Sequence, residues 1–210
     1  MAYYLQHDLH MISGIDLSES NGRIDRDLIS NEDVNFLFLR ATEGLYTVDS
    51  QFSENITIAN EKGIPVGAYH WLLPELHVGQ QADLFFSTIK DFQCSLPPVV
   101  SIKLQAMNNE DLSKNVQTFM RLLEQKLHVK PIIYTSEKSW QIIQDTANWG
   151  CDYPLWIDQP GKLWPKQVWP WAGWAFWQHS YQASMPGIQN EVGMNWFNGS
   201  KEDLRNLIVQ

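Results

Sequence analysis

The order of apolar runs along the chain limits its fold more than any other feature. Eight short runs, rich in β-branched and aromatic residues, read as strands: 13–18, 35–42, 64–72, 98–105, 131–136, 154–158, 174–180 and 192–197. Segments of helical period separate only the earlier ones. The stretch 52–62 carries Phe52, Ile56 and Ala59 on one side and stops at Gly63-Ile64-Pro65. In 78–92, Ala82, Phe85, Phe86 and Ile89 recur at helical spacing, and in 110–127 the stripe is Leu112, Val116, Phe119, Met120, Leu123 and Leu127, with Asn109 as N-cap. A shorter helix is expected at 137–146 around Trp140 and Ile143, and a brief turn at 25–30. After Tyr153 the connections become rich in Pro, Gly and Trp and lose the helical period. Strand–helix alternation implies a parallel sheet with helices outside it. Helices confined to the first half imply an α/β barrel whose last strands are joined by loops. With no internal repeat or linker, residues 1–210 read as one domain.

Composition narrows the function. A net charge of −9 disfavours nucleic-acid binding, which needs clustered Lys and Arg, and disfavours attraction to other polyanions. No run approaches the ~20 apolar residues of a membrane span. The start, "MAYYLQHDLHMISG", has neither a basic segment nor an apolar run. A classical signal peptide is therefore not expected, and the expected location is the cytoplasm or export by a non-classical or phage-type route. Cys94 and Cys151 lie far apart and read as buried free thiols, with a single disulfide left open. The six histidines show no ligand spacing, so neither a metal nor another cofactor is expected.

Barrels of this kind carry their chemistry at the C-terminal strand ends. Reading those ends off yields Asp16 and Ser18, Thr42 and Glu43, His70 and Trp71, Tyr134 and Thr135, Asp158, Gln178 and His179, and Asn195. The fourth strand, in "LPPVVSIKLQ", alternates Val100, Ile102 and Leu104 with Ser101, Lys103 and Gln105. Side chains two apart share a face, so Ser101, Lys103 and Gln105 point to one place. Polar residues gathered at so many strand ends describe a pocket better than a solvated edge.

The segments "GIDLS" (14–18), "FLFLRATEGLYTVDSQFSENITIANEKGIPVGAYHWLLP" (36–74), "LPPVV" (96–100), "IIYTS" (132–136), "PLWID" (154–158), "AFWQHS" (175–180) and "NWFNGS" (195–200) resemble, in order, glycoside hydrolase family 25, the Chalaropsis-type lysozymes. The resemblance implies a TIM-like (β/α)5(β)3 barrel and an N-acetylmuramidase acting on the glycan strand of peptidoglycan. It also exposes departures. The family's fourth strand ends in an Asp-x-Glu pair, whose Glu is the main acid, and those positions are Ser101 and Lys103 here. A further family aspartate, on the last strand, aligns with Gly193. Asp16 and Glu43 are retained. Glycoside cleavage needs a carboxylic acid to protonate the leaving oxygen and a second group to act as nucleophile, base or charge stabiliser. An ammonium at position 103 would lower the pKa of Asp16 and oppose the positive charge developing on the sugar. The implied outcome is a lysozyme-like protein with impaired or absent hydrolysis.

Several residues carry two readings. Asp16 is a catalytic remnant or the ion-pair partner of Lys103, the latter preferred because a buried lysine needs a partner. Glu43 binds sugar or satisfies its own turn. Asp158, where the family has a small residue, is a relocated acid or a second partner for Lys103. His70, Trp71, Tyr134 and Gln178 are candidate substrate contacts, and a barrel histidine satisfied in the core is the other reading of His70. Seven of the ten tryptophans lie between Trp149 and Trp177. Trp156 and Trp177 read as core, whereas Trp164, Trp169 and Trp171, in a Pro-bracketed loop, are candidates for stacking on sugar rings. A Ser101–Lys103 dyad is a remote catalytic alternative. The functional alternatives to an impaired lysozyme are an active muramidase using Asp16, Glu43 or Asp158, and a protein-interaction scaffold. No protein partner is legible.

Overall fold

Nine strands form one sheet in the computed structural model, which describes residues 12–104 and 111–209. They are β1 (Ile12–Leu17), β2 (Leu37–Glu43), β3 (Thr47–Val48), β4 (Val66–Leu72), β5 (Val99–Ile102), β6 (Ile132–Thr135), β7 (Leu155–Asp158), β8 (Phe176–Ala183) and β9 (Val192–Phe197). Pairing runs β1-β9-β8-β7-β6-β5-β4-β2, and β1 pairs with β2, so eight strands close into a barrel. The two-residue β3 only folds back on the end of β2. Helices α1 (Phe52–Glu61), α2 (Val78–Ile89), α3 (Leu112–Leu127) and α4 (Glu137–Trp140) follow β3, β4, β5 and β6, and α5 (Lys201–Asn206) follows β9. Gln105, Asn109 and residues 1–11 lie outside the described residues.

Parallel pairing holds from β1 through β2 and β4 to β8, but β9 is antiparallel to both β8 and β1. This corrects the all-parallel expectation. A parallel crossover needs a dozen or more residues, whereas residues 184–191 are enough only for a reversal. Residues of β9 therefore reach the mouth from its first half, at Gly193 and Asn195. The helix expected at 137–146 is a single α-turn followed by a 3₁₀ turn at Gln144–Thr146. Helix α5 was not anticipated, although Ser200 and Asp203 form a capping box at its start.

Two apolar layers hold the barrel. Outside, Val100 and Ile102 of β5 pack towards the helical stripe Leu112, Val116, Phe119 and Leu123. Inside, Phe36, Phe38, Trp156, Phe176 and Phe197 fill the lower barrel, with Phe38 and Trp156 centroids 4.8 Å apart. The aromatic filling needs small neighbours: a Cβ on Gly67 would stand 2.6 Å from Phe38 Cε1. Above this layer the inward positions turn polar, and the site begins there.

After β7 a tryptophan-rich loop takes the place of a helix. Trp164 packs 5.6 Å from Trp174, and Trp174 lies 6.0 Å from Trp177 against the outward side chains Leu155 and Ile157. Trp171 is buried, donates from Nε1 to the Tyr153 carbonyl at 2.8 Å and packs 4.5 Å from Trp140. Both thiols are free; Cys94 is half-buried, while Cys151 is exposed rather than buried as expected. Among the described residues no helix is long and apolar enough to cross a membrane, and no group of three potential metal ligands occurs.

Candidate functional site

A cavity of about 290 Å³ opens at the barrel mouth, and Asp16, Ser101, Lys103, Tyr134, Gln178 and Gly193 all line it. Each arrives by strand periodicity. On β1, Gly14 and Asp16 share the inward face; on β5 it is Val99, Ser101 and Lys103; on β6, Ile132 and Tyr134.

Asp16 is recessed at the cavity floor. Its Oδ1 accepts from Gln178 Nε2 at 2.6 Å and from Asn195 Nδ2 at 2.8 Å. Asn195 in turn accepts from Trp156 Nε1 at 2.9 Å, and the Tyr134 hydroxyl donates to Gln178 Oε1. Burial pushes the Asp16 carboxyl up to about 6, against the pull of the Asn195 amide and of the Lys103 charge, with Asp158 adding to the rise. The expectation that Lys103 holds this pKa down is therefore corrected: Lys103 acts in that direction, but desolvation is larger.

The expected Asp16–Lys103 ion pair is also absent among the described residues. Strands β1 and β5 stand three pairings apart around the barrel, so the two side chains rise from opposite walls. Lys103 is exposed, and its Nζ sits 5.1 Å from the Trp71 ring centroid and 5.5 Å from that of Tyr134. No hydrogen bond joins Ser101 to Lys103 among the described residues, so no dyad is formed. Asp158 accepts from the Tyr181 hydroxyl instead of pairing with Lys103. Tyr181 itself lines the cavity.

Gly193 completes the floor. Asp16 and Gly193 are register partners, and a Cβ on Gly193 would overlap Asp16 Oδ1 and Gln178 Nε2. The Asp16 carboxylate thus occupies the space that any side chain at position 193 would enter.

Glu43 belongs to a neighbouring network. Arg40 donates to Glu43 at 3.1 Å, to Glu19 at 3.1 Å and to Asp49 at 2.9 Å. Glu43 lines a smaller cavity of about 190 Å³, which shares Trp71 and Lys103 with the first.

Other sequence candidates fall elsewhere. His70 alternates with Tyr69 and Trp71 and so faces the helices, fully buried. Its Nδ1 meets Thr42 Oγ1 at 2.7 Å, its Nε2 meets Gln81 Oε1 at 3.2 Å, and its ring stacks 5.0 Å from Phe119. Burial depresses its pKa to about 4, which keeps it neutral. It is a core histidine, not a lining residue. Thr42 reaches that side because the register slips between Arg40 and Thr42. Trp171 is core, and Trp164 and Trp169 are exposed, but neither lines the main cavity; Trp164 stands on the outer wall of β7.

Arg40, Tyr69, Tyr181 and Glu191 line the cavity without having been singled out. Arg40 was readable, since it continues the inward alternation of Phe36 and Phe38. Tyr181 was not, because β8 runs past the residue where its apolar pattern stops.

The profile of glycosyl hydrolases family 25 matches residues 15–188. The chain belongs to glycosyl hydrolase family 25. Among its relatives, uncharacterized protein YegX of Escherichia coli strain CFT073 is 31% identical over 205 residues, covering 95% of this chain and 74% of that protein. Lysozyme M1 of Streptomyces globisporus is 28% identical, covering 92% and 70% respectively. The bacterial lysozyme from Streptomyces coelicolor superposes with a TM-score of 0.86 at 28% identity, over 93% of this chain and 96% of that one. A family 25 glycosyl hydrolase from Bacillus anthracis does so with a TM-score of 0.82 at 26% identity, over 94% of each chain. The eight-stranded barrel is thus the family 25 fold, and its mouth cavity is the candidate active site of a lysozyme-like protein.

Proposed function

We propose that this family 25 protein engages the glycan strand of peptidoglycan and hydrolyses it slowly or not at all. The observation that carries this reading is the occupancy of the inward face of β5. Where the family resemblance expects the Asp-x-Glu pair, the cavity holds Ser101 and an exposed Lys103 between two rings. Glycosidic cleavage needs a proton donor and a second group that offsets or captures the positive charge forming at the sugar. Asp16 is the recessed carboxylate of the cavity, and Gly193 leaves no acid across from it. Lys103 contributes a positive charge where the transition state calls for a negative one.

A second reading, an active muramidase with Asp16 as general acid, is favoured by the carboxyl pKa of about 6. At pH 7 roughly a tenth of such a group is protonated, enough to donate a proton. Purified peptidoglycan separates the readings. Co-sedimentation without release of reducing ends is the expected result. Release at the rate of an active lysozyme that disappears in Asp16→Asn replaces it with the second reading, and the absence of both sedimentation and release refutes both.

A further inference from the structure

We propose that Lys103, with the rings of Trp71 and Tyr134, forms a subsite for a sugar bearing a free carboxylate. This rests on the glycan reading above and names the class of glycan that the mouth prefers.

Three observations support it. Lys103 and Trp71 line both mouth cavities, so a chain crossing from one to the other passes the ammonium. The ammonium has no carboxylate at ion-pair distance and no hydrogen-bond acceptor among the described residues, which leaves its three N–H donors for a ligand. The other cation lining the larger cavity, Arg40, is occupied by Glu19, Glu43 and Asp49. An anionic ligand group entering here therefore finds one available positive partner, Lys103.

The chemistry around that partner selects the anion and what carries it. Trp71, half-buried with its ring centroid 5.1 Å from Nζ, offers a flat apolar face suited to the C–H face of a pyranose beside the charge, and the buried Tyr134 ring, 5.5 Å away, backs the ammonium from below. Asp16 and Glu191 line the same cavity, so a doubly charged phosphate meets more repulsion than a singly charged carboxylate. A carboxylate on a sugar ring also receives charge-assisted hydrogen bonds from an ammonium, stronger than those of a neutral amide. Two sources supply this chemistry: the lactyl carboxylate of a muramic residue freed of its peptide, and the C6 carboxylate of a hexuronate.

The test is titration calorimetry with four probes: a peptide-free N-acetylglucosaminyl–N-acetylmuramyl tetrasaccharide, its methyl-amidated form, a tetragalacturonate, and neutral chitotetraose. We expect at least one carboxylate probe to bind about tenfold more tightly than the amidated and neutral probes. Which carboxylate probe is preferred identifies the source. Lys103→Met keeps the alkyl stem and should erase that preference with the melting temperature unchanged; Lys103→Arg should retain it. Affinity for both carboxylate probes no higher than for the amidated and neutral probes, or a preference that survives in Lys103→Met, overturns the subsite while the glycan reading stands. No binding of any saccharide overturns both.

Discussion

Substituting Gly193 with alanine tests whether the Asp16 pose depends on an empty place at position 193. Gly193 lies in β9 with no positive φ, so alanine meets no backbone penalty, and its intrinsic effect is a small stabilisation of about 0.4–1 kcal/mol. Against that, the new methyl group overlaps Asp16 Oδ1 and Gln178 Nε2, which are bonded to each other at 2.6 Å. Relief requires the carboxylate to swing away from at least one of its two amide donors. A hydrogen bond to a charged group contributes about 1.5–3 kcal/mol, and overpacking adds about 1–3 kcal/mol. The net expectation is a loss of roughly 2–4 kcal/mol, or about 4–16 °C in melting temperature for a domain of this size. The decisive measurement is a double-mutant cycle with Asp16→Ala, by urea or thermal unfolding. With the carboxylate gone the Gln178 amide loses the acceptor that holds it there and is free to swing clear of the methyl group, so Gly193→Ala should cost less than about 1 kcal/mol in the Asp16→Ala background. Additivity of the two changes within about 0.5 kcal/mol would refute the steric coupling.

Three further outcomes are expected. Because Asp16 titrates near 6 in the fold against an ordinary 3.8, the native state keeps a proton that the unfolded chain has lost between those values; stability from this group falls as pH rises through the window, by roughly 3 kcal/mol in all. His70, depressed to about 4, acts in the opposite sense over an overlapping range, so the quantity to measure is the difference between wild type and Asp16→Asn, which should grow from pH 4 to 6; an unchanged slope in the variant counts against the shift. His70→Ala should lose about 2–4 kcal/mol by opening a hole beside Phe119 and taking the partner of the buried Thr42 hydroxyl, with saccharide affinity untouched, and a specific loss of binding in a stably folded variant would return His70 to the site. Ser101→Asp with Lys103→Glu should raise reducing-end release above wild type, whereas adding Gly193→Asp should lower melting temperature by displacing Asp16; a triple variant as stable as the double would contradict the geometry of the floor.

Much of the barrel was legible in the chain because its signals are local. Apolar alternation located all eight barrel strands, and the stripe from Leu112 to Leu123 located α3, since burial of one face imposes a period that no distant residue can alter. The same alternation separated the polar face of β5 from its helix-facing side. It failed where pairing partners intervene: β9 reversed direction because its connection is short, and Thr42 changed sides at a register slip. Trp164, Trp169 and Trp171 read as candidate sugar platforms, yet Trp164 packs with Trp174 and Trp177 over the outer side of β7, and Trp171 packs on Trp140, roles visible only once the uncovered wall is known.

The amino-acid sequence by itself determined the fold, the family and which residue types stand at the strand ends, because periodicity and ordered motifs are properties of neighbouring residues. Tertiary structure alone decided how those residues address one another. It set Asp16 and Lys103 on opposite walls, turned the carboxylate to Gln178 and Asn195, and left the ammonium between Trp71 and Tyr134. The carboxyl pKa followed the same way: the sequence shows a neighbouring charge, but the desolvation that outweighs it exists only when the barrel closes.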